Sequence, residues 1–188
     1  MRWDLVIFDC DGVLIDSELL SARADRECLA ECGIDLSVEE ILERYTGISF
    51  AGMVADLEER HGVLPADFAD RHRMRLWPLF ERELQAIPGV TAILDSLTCR
   101  ICVASSGRPE RLKHALSLVG LYDRFQPNIF SATEVRRGKP APDLFLYAAE
   151  RMGVMPERCV VVEDSMPGVT AAVAVIDDMA QLSPILAR

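Results

Sequence analysis

The chain has 188 residues, enough for one domain or for one domain with a modest insertion. Half of the residues are apolar and 27% are charged, the balance of a soluble globular protein. With 20 basic against 30 acidic residues the formal charge is −10, which argues against nucleic acid or an anionic membrane as partner. An anionic substrate would therefore need positive charge placed locally at its site.

Along the chain, Leu5–Phe8 is a short apolar run that ends in Asp-Cys-Asp-Gly, the pattern of a buried strand entering a turn. From Ser17 to Leu84 the periodicity is helical and no convincing strand occurs. Leu19–Glu31 reads as a helix stopped by Gly33, and Ser37-Val38-Glu39-Glu40 has the capping-box form. Phe50–His61 reads as a helix closed by Gly62, and Asp67 as the cap of a longer helix running towards Leu84. Asp16 and Ile87-Pro88-Gly89 are the candidate hinges.

Beyond them a helix (Thr91–Leu97), a strand (Ile101–Ala104) and a helix ended by Gly120 (Glu110–Val119) follow. A weaker strand near Ile129–Phe130, a helix (Asp143–Met152) and a strand (Val160–Val162) complete the pattern. Strands that alternate with helices and are apolar throughout imply an α/β fold with a Rossmann-like parallel sheet. The expected division is a catalytic core over 1–16 and 86–188, with a helical cap inserted after the first strand over 17–85.

The six cysteines, the absence of a visible secretory signal and the absence of a long apolar run suggest a cytoplasmic protein with free thiols. Cys99 and Cys102 form a C-x-x-C, but no second pair completes a zinc site, and flanking the start of a buried strand is the simpler account.

Four strand or loop ends carry candidate chemistry. Asp9 and Asp11 stand just past the first strand, where ligands bind in parallel sheets, and two carboxylates so close call for a cation or a proton between them. A solvated turn bent at Gly12 would give the same residues. Ser105 and Ser106 end the second long strand ahead of a helix N-terminus, which suits either a phosphate cradle or an ordinary serine-capped turn. Lys139, between Gly138 and Pro140 with Pro142 beyond, is a cation on a stiff loop. Glu163 and Asp164 end the last strand and, with Asp9, supply oxygen ligands suited to Mg²⁺ or an acid pair that merely starts a helix.

In this order the four elements resemble the defining motifs of the haloacid dehalogenase superfamily. The match runs through Phe8-Asp9-Cys10-Asp11-Gly12-Val13-Leu14 with Asp16-Ser17, then Ser105, Gly138-Lys139-Pro140 with Pro142-Asp143, and Glu163-Asp164-Ser165 with Gly168. It covers nearly the whole chain and points to the branch with a helical cap, which holds sugar-phosphate phosphatases and β-phosphoglucomutase.

The resemblance implies Asp9 as nucleophile, Asp11 as general acid and base, and phosphate binding by Ser105, Ser106 and Lys139. It implies Mg²⁺ on the Asp9 side chain, the Asp11 carbonyl and the Asp164 side chain, with Glu163 orienting a metal-bound water or ligating directly. Glu18, Tyr45, Gly47, Ser49 and Arg75 are its cap candidates for substrate contact. The expected partner is a small phosphorylated metabolite, with neither nucleic acid nor membrane, and the expected state a monomer or weak homodimer.

Gly47-Ile48-Ser49 is followed by Phe50, where β-phosphoglucomutase-like proteins carry an arginine. That favours hydrolysis over the alternative, a phosphosugar isomerase. The first motif and Leu79–Ile87 are similar to the bacterial 6-phosphogluconate phosphatase branch. Against the family pattern, something like a strand and a helix is missing between Ala174 and Val175, and a segment omitted from the sequence is preferred to a true shortening. Without that strand Val160–Val162 would lose its outer neighbour and become an exposed apolar sheet edge. A relict, non-catalytic binding protein is the third reading if the sheet is truly shortened.

Overall fold

A computed structural model describes residues 3–172 and the backbone of 175–176. Strand β1 (Leu5–Phe8) is followed by four helices, α1 (Glu18–Glu31), α2 (Val38–Tyr45), α3 (Phe50–His61) and α4 (Phe68–Glu83). Then come α5 (Val90–Ser96), β2 (Arg100–Ser105), α6 (Pro109–Leu118), α7 (Tyr122–Phe125) and β3 (Ile129–Ser131). The described chain ends with α8 (Asp143–Met152), β4 (Cys159–Val162), α9 (Met166–Ala171) and β5 (Val175–Ile176). The strands form one parallel sheet in the order β3-β2-β1-β4-β5.

Alternation along the strands divides the core into two layers. Val6, Phe8, Val103, Val160 and Val162 face Leu112, Ala115 and Leu116 of α6. Leu5, Ile7, Cys102, Ala104 and Val161 face Leu144, Phe145 and Ala148 of α8. All four residues of β1 are buried, as expected of a central strand covered on both faces.

The helical region after β1 has its own core, built on Leu29, Ile41, Met53, Leu57 and Phe68. Leu76, Leu79 and Phe80 of α4 instead join the sheet's first layer. The Ser37–Glu40 capping box forms as the sequence predicts. Asp67 does stand before α4, but its carboxylate accepts from Arg71 Nε at 2.8 Å instead of capping the helix. The segments entering and leaving this region lie side by side. Asp16 N–H donates to the Gln85 carbonyl at 3.0 Å, Ile87 N–H to Leu14 at 3.0 Å, and Ile15 bridges Ala86.

One expectation needs correction. The outer side of β4 is not bare, because β5 pairs with it at Val161↔Val175 and Val162↔Ile176. This pairing covers the half of β4 nearest the strand ends, Val161 and Val162. The join between Ala174 and Val175 lies outside the described residues.

Candidate active site

The strand ends converge. Phe8 is level with Val103 on one side and Val162 on the other, so Asp9 lies level with Ala104 and Glu163. Asp9 N–H donates to the Val162 carbonyl at 3.0 Å, extending the ladder one residue into the site. In strand order β1 and β4 flank the switch point, where α/β sheets open their ligand crevice. A cavity of about 530 Å³ lies there between the sheet and the helical region. Asp9, Asp11, Ser105, Ser106, Lys139 and Asp164 all line it, while Glu163, also singled out by the sequence, is buried outside the lining.

Lys139 organises the centre. Its ammonium, almost wholly buried, lies 2.9 Å from Asp9 Oδ1 and 2.6 Å from Glu163 Oε2. Burial alone would lower the lysine's pKa, but the two carboxylates outweigh it and raise it. Burial pushes Asp9 up to about 7, with Glu163 and Asp11 adding and Lys139 opposing. Asp164 rises to about 6, through burial and then Glu163.

Oxygen atoms of Asp9, Glu163 and Asp164 lie within 4.8 Å of one another. Three carboxylates around one lysine leave an excess of negative charge, and a hard divalent cation with oxygen ligands fits that donor set. Glu163 stands behind the other two. Its Oε2 takes Lys139, and its Oε1 takes the Ser165 N–H at 3.2 Å and the Ser165 hydroxyl. Gly168 makes room for this carboxylate, since a Cβ there would overlap it.

On the other flank, Ser105 Oγ accepts from Gly107 N–H at 3.1 Å. Ser131 Oγ, at the end of β3, donates to the Gly107 carbonyl at 2.7 Å and braces the same loop. Sequence reasoning did not single out Ser131.

Nor did it find Arg111. This residue donates to Asp11 through Nη1 at 2.9 Å and Nη2 at 2.7 Å, and the Ser17 hydroxyl also donates to Asp11. Burial would raise the Asp11 pKa, but Arg111 and then Ser17 hold it below the ordinary carboxylate value. A signal was present: a basic residue in the first turn of α6 opposes the helix dipole and calls for a partner.

Of the cap candidates, Glu18, Tyr45, Gly47 and Ser49 line the cavity. Glu18 is pushed up to about 7 by burial, then by Asp164, Asp11 and Asp16. Tyr45 donates to Asp56 at 2.8 Å and Ser49 caps α3, so both hydroxyls already serve the cap's own structure. Arg75 is a correction. It turns away to Glu31 and Glu27, and the cavity face of α4 carries His72, Arg73, Leu76 and Trp77 instead. Gly47, at φ +76°, touches the core so closely that a Cβ would come 2.5 Å from Ser165 Cβ. Cys99 and Cys102 are free thiols outside the cavity lining.

A family model described as haloacid dehalogenase-like hydrolase matches residues 3–175. The chain belongs to this family. It is 34% identical over 174 residues to the 6-phosphogluconate phosphatase of Escherichia coli K12, covering 92% of this chain and 79% of that protein. It is 33% identical over 175 residues to hexitol phosphatase B of the same strain, covering 89% and 78%. A haloacid dehalogenase-like protein of Agrobacterium tumefaciens superposes with a TM-score of 0.79 at 34% identity, covering 98% of each chain. Among the described residues of this hydrolase, no helix is long and apolar enough to cross a membrane.

Proposed function

We propose that this hydrolase is a magnesium-dependent phosphatase that cleaves a small sugar or sugar-acid phosphate monoester through an aspartyl phosphate on Asp9. The observation that carries the reading is the setting of Asp9, a buried strand-end carboxylate clustered with Glu163 and Asp164, with the Lys139 ammonium bridging it to Glu163. A carboxylate approaches a phosphate dianion only where positive charge offsets the repulsion. Lys139 supplies one such charge. Mg²⁺, held by the Asp9 side chain, the Asp11 carbonyl and the Asp164 side chain, would supply the rest.

In the first step an Asp9 oxygen bonds to phosphorus, the bond to the leaving oxygen breaks, and Asp11 gives that oxygen a proton. For this Asp11 must carry a proton, so its pair with Arg111 has to give way as the leaving oxygen arrives. In the second step Asp11 takes a proton from water, the water oxygen bonds to phosphorus, and the phosphorus–Asp9 bond breaks to release inorganic phosphate. Ser105, Ser106 and Lys139 hold the transferring oxygens, and the helical region covers the site against bulk water.

The names of the two Escherichia coli relatives support a phosphorylated sugar derivative as substrate. Phe50 supports hydrolysis over isomerisation. Its ring lies on the cavity, 6.0 Å from that of Phe68 and 4.8 Å from that of His72, where the mutase reading needs a cation. Cytoplasmic action as a monomer or weak homodimer completes the reading.

The test is phosphate release from sugar and sugar-acid phosphates with Mg²⁺. Asp9→Asn is expected to abolish it, and turnover retained in that variant refutes the reading. Conversion of a hexose 1-phosphate without free phosphate would favour the isomerase instead.

A further inference from the structure

The guanidinium of Arg111 is only half used. Its end-on edge is taken, with Nη1 and Nη2 each donating to one oxygen of Asp11. One face lies over the Phe80 ring, 5.3 Å from its centroid, which fixes the plane. An arginine carries five N–H donors, and the Nε–H with the outer Nη2–H makes a second fork along the side of the group. Nη2 also donates to the Ser21 hydroxyl, but at 3.5 Å, the outer limit of a hydrogen bond that a charged acceptor would replace, and Nε–H has no acceptor among the described residues. Arg111 and Ser21 both line the cavity that Asp9 and Asp11 share.

A planar two-donor fork matches a carboxylate, which accepts two parallel hydrogen bonds. This guanidinium is also better sheltered than the cavity's Arg73, with side-chain exposures of 21% and 49%. Asp11 neutralises this guanidinium at rest, but once Asp11 takes up a proton to serve the leaving oxygen the charge loses its anion, and a bound carboxylate would answer it.

We propose that the open edge of Arg111 is a carboxylate subsite. On this view the enzyme selects phosphate monoesters whose leaving fragment is a sugar acid over those whose leaving fragment is a neutral polyol. The inference rests on the phosphatase reading and deepens it. Asp11 addresses the leaving oxygen, so a group bonded to Arg111 belongs to the leaving fragment and not to the transferring phosphoryl. Ser21 would give the bound carboxylate one further donor from α1.

The experiment compares 6-phosphogluconate with a hexitol 6-phosphate, two esters of equal carbon number that differ in a terminal carboxylate against a hydroxymethyl group. The readout is the ratio of their kcat/KM values with Mg²⁺, from which the folded fraction of any variant cancels. Wild type is expected to favour the acid about 10- to 100-fold, the range of a hydrogen-bonded charged contact. Arg111→Gln should bring the ratio to about 1 through a raised KM for the acid, and Arg111→Lys should restore part of it. Arg108→Gln removes the same charge from the exposed rim of the cavity and should keep the wild-type ratio.

A wild-type ratio near 1, equal losses on both esters in Arg111→Gln, or an equal collapse in Arg108→Gln overturns the subsite while leaving the phosphatase reading standing. Wild-type protein that releases phosphate from neither these esters nor p-nitrophenyl phosphate overturns both. If Arg111→Gln turns over neither ester, dissociation constants are compared in an Asp9→Asn background. Weaker binding of the acid alone supports the subsite, and unchanged or equally weakened binding overturns it.

Discussion

Replacing Gly47 with alanine should open the enzyme without unfolding it. Two costs can be separated. The first is the backbone: at φ +76° an L-residue carries a penalty of about 1–2 kcal/mol. The second is contact. The added Cβ would lie 2.5 Å from Ser165 Cβ, 2.6 Å from its Oγ and 3.3 Å from Pro167 Cδ. Carbon atoms pack at about 3.5–4.0 Å, so about 1 Å of separation has to be found.

Ser165 cannot supply that separation. It is buried, donates its hydroxyl to Glu163 and accepts from Gly168 N–H at 3.3 Å. The loop after α2 must lift instead, and the cavity wall with it. A misplacement of that size costs about 100-fold in rate when it carries substrate-positioning groups. The control is Gly33→Ala. Gly33 sits at φ +75°, within a degree of Gly47, with nothing within 4 Å of its Cβ position, so it carries the backbone cost alone. Urea denaturation should show the control destabilised by about 1–2 kcal/mol and Gly47→Ala by at least that much. Phosphate-release kinetics should show the loss of kcat/KM in Gly47→Ala only. A Gly47→Ala enzyme within about threefold of wild type would refute the contact argument.

Gly168→Ala should press on the buried Glu163 carboxylate and disturb its 2.6 Å bond with Lys139. A stability loss of about 1–3 kcal/mol with weaker Mg²⁺ binding is expected, read by thermal melting and titration calorimetry, and an unchanged melt with unchanged affinity would count against it. The metal-free protein should also respond to pH in a particular sense. Asp9 and Asp164 stand at about 7 and about 6 against an ordinary 3.8, so the folded state holds protons the unfolded state has lost. Stability from these groups is present below about pH 4 and falls as pH rises to about 7. Mg²⁺ replaces those protons, so it should raise the melting temperature more at about pH 8 than at about pH 5. Equal shifts at the two pH values would contradict this.

Much of the site was legible because each core residue stands next to a local signal. Asp9, Ser105 and the Glu163–Asp164 pair each end an apolar run, and Lys139 is fenced by prolines. Helices α1, α3 and α6 were equally readable from their period and their closing glycines, whereas the single turn of α7 was not read. What escaped depends on distance or phase. Arg111 meets Asp11 across 100 positions; its place in the first turn of α6 asks for an anionic partner, but no local pattern says which. On α4, arginines at 71, 73 and 75 offer no compositional reason to choose among them. Only the burial of Leu76, Leu79 and Phe80 sets the helix's rotation, which brings Arg73 to the cavity and Arg75 to Glu31. β5 was invisible for a different reason, because two residues are too few to leave a periodic signal.

The paired crossings at Leu14–Asp16 and Gln85–Ile87 make the helical region an exchangeable cassette. Its entry and exit share one short splice, so a different helical unit could be grafted there without rerouting the sheet. Lineages that diversify by such exchange would inherit the phosphoryl chemistry intact and acquire a new wall for the leaving fragment. Arg111 sits on the inherited side of that splice, so a preference it imposes would travel with the sheet and not with the graft.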